Sequence, residues 1–280
     1  MTARAWGELG NAYRVADRLQ EAAQAFGTAF ERARQGTGDP GLRMRLLDLE
    51  ASLLGTQREF ALALPRLTSL AELHREQGDP HQEGRALVSQ ALYTFYGGRP
   101  RRALELNSEA LGLIDEEREP SLAAVAAKNQ LLFLVECGQY REAKKILFKN
   151  RARFTDLGHI LRLRVRWIEG RIDHGLRQLD RAEAALREVK RGFEEAGTGF
   201  HAALAGLDLA LTLVCQGRWD EAVAETLQSA AMFEALTVYR EALGVVIFLE
   251  QEFQRRRGSV ALLENTVWFL RRKFIERGWE

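Results

Sequence analysis

Cysteine is scarce in this sequence, which has only two among its 280 residues, Cys137 and Cys215. Two isolated thiols make neither a disulfide framework nor a cysteine-rich metal site. Small buried side chains in a reducing compartment are the simpler interpretation. Long hydrophobic runs are also missing, so the sequence contains no signal-peptide core and no candidate membrane-spanning helix. We therefore expect a cytoplasmic protein that does not bind membranes.

An excess of charge of one sign is absent as well. Forty Lys and Arg residues are balanced by 39 Asp and Glu residues, which gives a formal net charge of +1. No overall field draws such a protein to nucleic acid or to an anionic surface. Basic triplets at residues 255–257 and 271–273 surround Trp268 and Phe269, but we interpret them as solvated helix ends. We predict no direct binding of nucleic acid.

The spacings that catalytic and cofactor sites require are not found. The histidines are scattered, and no two have the spacing of metal ligands on one helix. They are His74, His81, His159, His174 and His201. Two short glycine-containing segments, residues 36–38 and 97–98, lack the preceding strand and following lysine of a phosphate-binding loop. We predict no catalytic residue, no metal and no cofactor, and we interpret the chain as a non-enzyme.

The sequence does contain a long internal repeat. Alanines recur at a nearly constant interval, and each one opens the same local pattern. They are Ala22, Ala63, Ala103, Ala143, Ala182 and Ala222. Pro40, Pro80 and Pro120 form a second series with the same period. Self-similarity at this period indicates a stacked repeat array.

The first repeat unit carries two helical patterns. Apolar residues recur at spacings of three and four on both sides of Asp17, which predicts two amphipathic helices that face each other. Its key positions are Trp6, Leu9, Gly10 and Tyr13, followed by Ala22, Phe26 and Ala29. This pattern resembles the tetratricopeptide repeat, and the first unit matches all seven positions.

Helix ends can be predicted in the later units. Asp39 and Asp79 each precede a proline, which is typical of an N-cap followed by the first helical residue. Glycines before the second helices predict left-handed turn positions, at Gly98, Gly138 and Gly217. Pro65 falls inside a second helix, and we expect it to bend that helix or to delay its start.

The resemblance implies an all-α, right-handed superhelical solenoid of about seven antiparallel helix hairpins, in a single array over residues 1–280. The expected units are about 1–38, 39–78, 79–118, 119–157, 158–197 and 198–238, with a degenerate capping unit at 239–280. These units are longer than the usual tetratricopeptide repeat of roughly 34 residues, and they resemble repeat regions of bacterial regulatory proteins. The interval between Pro40 and Ala63, applied to Ala22, starts the first helix before Met1. We therefore expect the sequence to be a piece of a longer protein.

In tetratricopeptide arrays the first helices line a concave groove, and positions 2, 5, 9 and 12 of each unit point into it. The resemblance implies a groove for a partner protein or peptide, made by residues at these positions. They are Arg4, Asn11, Arg45, Asp48, Ser52, Arg85, Phe95, Lys128, Arg164, Trp167, Arg171 and His174. Guanidinium groups bind carboxylates in pairs of hydrogen bonds, and aromatic side chains provide apolar anchors. We expect an acidic partner with hydrophobic anchors, and Asn11 matches the family asparagine that bonds a peptide backbone.

Two questions stay open at this level. The repeated arginines fit equally well as ion-pair partners of carboxylates on neighbouring helices. Apolar residues at other groove positions, among them Val88, Leu92, Leu207 and Leu211, suggest that parts of the groove are closed. The leading functional hypothesis is a non-catalytic peptide-binding scaffold, and the alternative is a ligand- or peptide-sensing regulatory module of a larger bacterial signalling or transcription-regulating protein. The partner's identity and homo-oligomerisation are left undetermined.

Overall fold

The computed structural model describes residues 1–36, 38–235 and 265. Over these residues the chain is all-α, with thirteen helices and no strand. The chain divides into two compact units, Met1–Phe133 and Leu134–Glu280, which we call unit 1 and unit 2. No helix in the described part of the chain has both the length and the apolar character needed to cross a membrane.

Unit 1 is built from consecutive helix hairpins. Its helices are α1 (Ala3–Val15), α2 (Leu19–Arg34), α3 (Pro40–Thr56), α4 (Phe60–Glu76), α5 (Pro80–Tyr96), α6 (Pro100–Leu113) and the larger part of α7 (Pro120–Glu136). Helices α1 and α2, α3 and α4, and α5 and α6 pack in pairs. The first helices α1 and α3 also touch each other, so equivalent positions on these two helices become neighbours.

Unit 2 repeats this plan with one interruption. It contains the end of α7, then α8 (Tyr140–Lys149), α9 (Arg151–Thr155), α10 (His159–Gly175), α11 (Leu179–Glu195), α12 (Gly199–Cys215) and α13 (Trp219–Ala235). Helices α10 and α11 form one hairpin and α12 and α13 the next. The second helix of the hairpin before them is broken at Asn150 into α8 and the short α9. The predicted capping unit at 239–280 and the two basic triplets lie outside the described residues.

Local signals for helix ends are confirmed where they were read from the sequence. The Asp39 carboxylate accepts a hydrogen bond from the Gly41 amide at 3.0 Å, and Asp79 accepts one from Gln82 at 3.2 Å. The predicted turn glycines have φ of 78°, 71° and 79°, in the left-handed region; they are Gly98, Gly138 and Gly217. Of the two effects expected of Pro65, the delayed helix start is wrong, because α4 begins at Phe60 and contains Pro65. The bend stays a prediction.

The alanines of the repeat lie where helices cross. All six have 0% of their surface exposed. Close approach is equally visible at Gly10, where an added Cβ atom would lie 2.9 Å from the Phe26 ring. A larger side chain at such a position would push the two helices apart. The repeat period therefore reflects the spacing of close helix contacts.

Candidate functional site

Unit 1 presents exposed arginines at the same position of three successive first helices, Arg4 on α1, Arg45 on α3 and Arg85 on α5. Arg45 Nε lies 3.2 Å from Glu8 Oε1 on α1. Arg85 Nη1 donates to both carboxylate oxygens of Glu119, at 2.7 and 2.8 Å. Two of the three arginines thus have the carboxylate partners that the alternative interpretation expected.

These ion pairs are accessible to solvent, which limits their strength. The side chains of Arg45 and Glu8 are 46% and 47% exposed, and Arg85 is also exposed. Exposed pairs of this kind contribute about 0–1 kcal/mol. Water or another carboxylate can therefore replace Glu8 at little cost in stability, whereas Glu119 is half-buried and also lies 3.3 Å from His81 Nε2.

The remaining predicted residues of unit 1 lie at different depths. Asn11 is half-buried, and its Oδ1 accepts hydrogen bonds from Nε and Nη2 of Arg14 at 3.2 and 3.0 Å. Asp48 lies 3.7 Å from Arg45 Nη1, and Ser52 is half-buried one turn further along α3. We call the accessible set the unit-1 row: Arg4, Asn11, Arg45, Asp48, Ser52 and Arg85.

Tyr93 on α5 lies beside this row and was not predicted from the sequence. A Cβ atom added to Gly55 would collide with the Tyr93 hydroxyl, so the phenol packs directly on the backbone of α3. Burial raises the pKa of Tyr93, and the charges of Arg14 and Asp48 both act on its hydroxyl. The sequence does contain a signal for this contact: Gly55 lies near the end of α3, and Tyr93 lies near the end of the next first helix, α5.

Phe95 and Lys128 complete the predicted set in unit 1. The assignment of Phe95 to an accessible groove is wrong, because this side chain is only 5% exposed. Its ring lies in the core, 5.0 Å from the ring of Phe133. Lys128 is half-buried on α7.

In unit 2 the predicted residues of α10 are bound to the neighbouring first helix, α12. Trp167 Nε1 donates to Asp208 Oδ2 at 2.7 Å. His174 Nδ1 lies 3.0 Å from Thr212 Oγ1, and Arg164 Nη2 lies 3.1 Å from His201 Nε2. These side chains hold α10 against α12.

Arg171 is the most enclosed of the predicted arginines. Its side chain is 14% exposed, and Nη2 donates to Glu136 Oε1 at 2.7 Å while Nε lies 4.0 Å from Asp208 Oδ2. Burial alone would lower the pKa of this guanidinium, but the carboxylates of Glu136 and Asp208 outweigh it and raise the pKa. Arg171 therefore acts as an internal link between α7, α10 and α12. It is not accessible to a partner, contrary to the prediction from the sequence.

The apolar side chains at the predicted groove positions are buried to different degrees. Val88 on α5 is 5% exposed and Leu207 on α12 is 0% exposed. Leu92 and Leu211 are half-buried. In unit 2 the predicted groove residues of α10 pack against neighbouring helices. In unit 1 the polar groove residues are accessible to solvent.

His201 gives unit 2 a pH dependence that can be measured. Burial, followed by the nearby Arg164 charge, lowers the pKa of His201 from 6.5 to about 4. Between these values the unfolded chain binds more protons than the folded one, so stability is lost as pH falls from 6.5 toward 4.

We expect His201→Gln to reduce this loss in urea unfolding followed at pH 7, 6, 5 and 4.5. His159→Gln, at an exposed histidine, is the control, and an equal pH profile for wild type and His201→Gln would contradict the assignment.

Comparison with known proteins agrees with this architecture. The family described as tetratrico peptide repeat matches residues 164–245, which include most of α10 and all of α11 to α13. Over this segment the chain resembles tetratricopeptide repeats. A search of curated proteins found no match.

Rap proteins are among the solved structures that share this fold. The crystal structure of a Rap protein complexed with Competence and Sporulation Factor superposes with a TM-score of 0.64 at 15% identity, over 93% of this chain and 72% of the Rap chain. The apo form of RapI gives a TM-score of 0.64 at 13% identity, over 90% of this chain and 70% of RapI. The chain thus resembles the Rap proteins in fold.

Proposed function

We propose that this protein is a non-catalytic scaffold whose unit-1 row binds a segment of a partner protein or peptide. The observation that carries the proposal is the exposed arginine at one position of three successive first helices, Arg4, Arg45 and Arg85. The similarity in fold to a Rap protein that was crystallised with Competence and Sporulation Factor supports it. As part of the same proposal, the protein works in a bacterial cytoplasm.

The chemistry of the row favours an acidic segment. A carboxylate of the partner can take the place of Glu8 on Arg45, because this pair is weak and solvated, and it can compete with the half-buried Glu119 for the exposed Arg85. Charge-assisted hydrogen bonds to a guanidinium fork then fix the orientation of the bound segment. The half-buried ring of Tyr93 offers the apolar surface for an anchoring side chain.

A regulatory role is the second candidate, and it is favoured by the similarity to the Rap fold. Each hairpin of a repeat array contacts only its neighbours, so a bound segment can change the curvature of the array. An effector domain encoded next to this sequence in the parent gene would favour this role over a simple scaffold. A parent gene without such a domain would favour the scaffold.

The experiment begins with a displayed library of random dodecapeptides selected on the intact protein. Affinities of the selected peptides are then measured by fluorescence anisotropy for wild type and Arg45→Glu/Arg85→Glu. We expect this variant to bind at least about tenfold more weakly, because two attractive charges become repulsive. We also expect the selected sequences to be rich in Asp and Glu and their affinity to fall with salt.

The matched control is Arg43→Glu/Arg101→Glu, which changes the same number of exposed arginines in unit 1 outside the row. Its affinity should stay within about twofold of wild type. Equal affinity of wild type and Arg45→Glu/Arg85→Glu would contradict the proposed binding surface. Circular dichroism of each variant verifies that the helices are retained.

A further inference from the structure

A cleft in unit 2 lies on a different side of α10 from the predicted groove residues. It has a volume of about 980 Å³ and is bordered by α8, α9, α10 and α11. Arg164 and Arg166 differ by two positions, which is about 200° around a helix of 3.6 residues per turn. Arg166 lines the cleft, whereas Arg164 bonds His201 on α12. The cleft and the predicted groove residues therefore lie on different faces of α10.

The cleft exists because the second helix of this hairpin is interrupted. Helix α8 ends at Lys149 after 10 residues, whereas α11 and α13 each have 17. The buried Asn150 occupies the break, where its Nδ2 donates to the Ile146 carbonyl at 2.9 Å. Its Oδ1 accepts a hydrogen bond from Arg153 Nη1. Two side chains thus stabilise the end of α8 and the open space that follows it.

The lining of the cleft has a strong excess of positive charge. Seven of its side chains are cationic and two, Glu169 and Asp173, are carboxylates. Both carboxylates are already neutralised within the cleft. Lys144 Nζ lies 2.7 Å from Asp173 Oδ1, and Arg166 Nη1 lies 2.7 Å from Glu169 Oε2.

Four arginines of the lining have no carboxylate within ion-pair distance among the described residues. Arg162 donates to the Leu157 carbonyl at 2.7 Å, and Arg181 donates to the Gln178 amide oxygen at 3.3 Å. Arg141 and Arg151 are exposed at the rim. Guanidinium groups in this state are available to a carboxylate, sulfonate or phosphate.

Apolar side chains make up the rest of the lining. Phe154 is 5% exposed and Val165 is 7% exposed, so both form part of the cleft floor. Phe148 is 79% exposed, the largest value among the exposed large hydrophobic side chains of the described residues. A solvent-exposed phenylalanine beside unpaired guanidinium groups suits a ligand with one apolar and one anionic end.

We propose that this basic cleft binds a small amphipathic organic anion, with the apolar body on Phe148 and Phe154 and the anionic group on Arg141 or Arg151. The volume is in the range of ligand pockets, roughly 300–1,000 Å³, which also combine apolar walls with a few polar anchors. The cleft gives this protein a second binding activity, for a ligand class different from that of the unit-1 row.

The probe is 8-anilinonaphthalene-1-sulfonate, whose emission rises when it enters an apolar site. The neutral N-phenyl-1-naphthylamine, which lacks the sulfonate, is measured beside it. We expect Arg141→Glu/Arg151→Glu to weaken binding of the sulfonate probe about tenfold and to leave the neutral probe unchanged. Phe148→Ser should weaken the binding of both probes.

Arg43→Glu/Arg101→Glu is again the matched control, since Arg101 has the same place in its hairpin as Arg141. Arg141→Gln/Arg151→Gln removes the charges without reversing them, and it should give a smaller loss in the same direction. Equal binding of the sulfonate probe to wild type and Arg141→Glu/Arg151→Glu would overturn the proposal, as would equal affinity of wild type for the two probes. Neither result bears on the unit-1 row, because the cleft and the row have no residue in common.

Discussion

Replacing Phe193 by alanine should destabilise unit 2 by about 3–5 kcal/mol. Phe193 is fully buried on α11, where its ring lies 5.8 Å from Trp167 and 5.2 Å from His201. It also belongs to the apolar cluster formed with Leu163 and Val189. Truncation removes buried apolar surface and leaves a cavity that these helices cannot fill without moving apart. Urea unfolding followed by circular dichroism measures the change.

The control for this variant is Phe148→Ala, because Phe148 is 79% exposed. Its unfolding midpoint should match wild type, within about 0.5 kcal/mol in stability. Similar losses for the two phenylalanines would mean that the buried and exposed faces of α8 and α11 are assigned incorrectly.

Arg171→Met should cost about 3 kcal/mol, even though methionine fills a similar volume. The substitution leaves the carboxylates of Glu136 and Asp208 without their shared cation, and Asp208 is only 6% exposed. Removing one partner of a buried ion pair typically costs about 3–5 kcal/mol, and the partial exposure of Glu136, together with the hydrogen bond that Asp208 keeps from Trp167, puts this site at the lower end. The same unfolding experiment measures the effect.

Arg45→Met provides the comparison at an exposed position of the unit-1 row. Both of its neighbours, Glu8 and Asp48, are solvated, so the expected loss is below about 1 kcal/mol. The two substitutions remove the same chemical group from two different positions, both of which the sequence assigned to one groove. A loss for Arg45→Met as large as that for Arg171→Met would contradict the distinction between an accessible row and an internal link.

The helix crossings and helix starts could be predicted because each repeat unit needs the same kinds of residue at these places. Close helix crossings need a small residue, so Ala22 and its five equivalents recur at one period, and all are fully buried. Helix starts at Asp39 and Asp79 follow from side-chain capping close to the helix end. Such signals lie within one hairpin and are therefore visible in the sequence.

Accessibility of the candidate site could not be predicted in the same way. Arg45 and Arg171 have the same side chain on equivalent helices, but only Arg171 meets a carboxylate from each neighbouring first helix. Those partners, Glu136 on α7 and Asp208 on α12, belong to other hairpins and are distant from Arg171 in the sequence. Phe95 was misplaced for the same reason, since Phe133 covers it from the next hairpin.

The sequence around Asn150 contains none of the signals that predicted the other helix ends. Neither proline nor glycine occurs between Tyr140 and Asp156, and the apolar pattern continues through Leu147 and Phe154. The break depends on side-chain hydrogen bonds of Asn150 to Ile146 and Arg153. The basic cleft could therefore be found only from the structure.

Photo-crosslinking of a selected peptide to the intact protein tests the proposed binding surface most directly. The peptide carries a benzophenone side chain in place of its apolar anchor, and mass spectrometry locates the attached residues. We predict attachment on the first helices of unit 1, α1, α3 and α5, close to Tyr93 and the unit-1 row. Attachment to the second helices α2, α4 and α6, or to residues of unit 2 alone, would contradict the account.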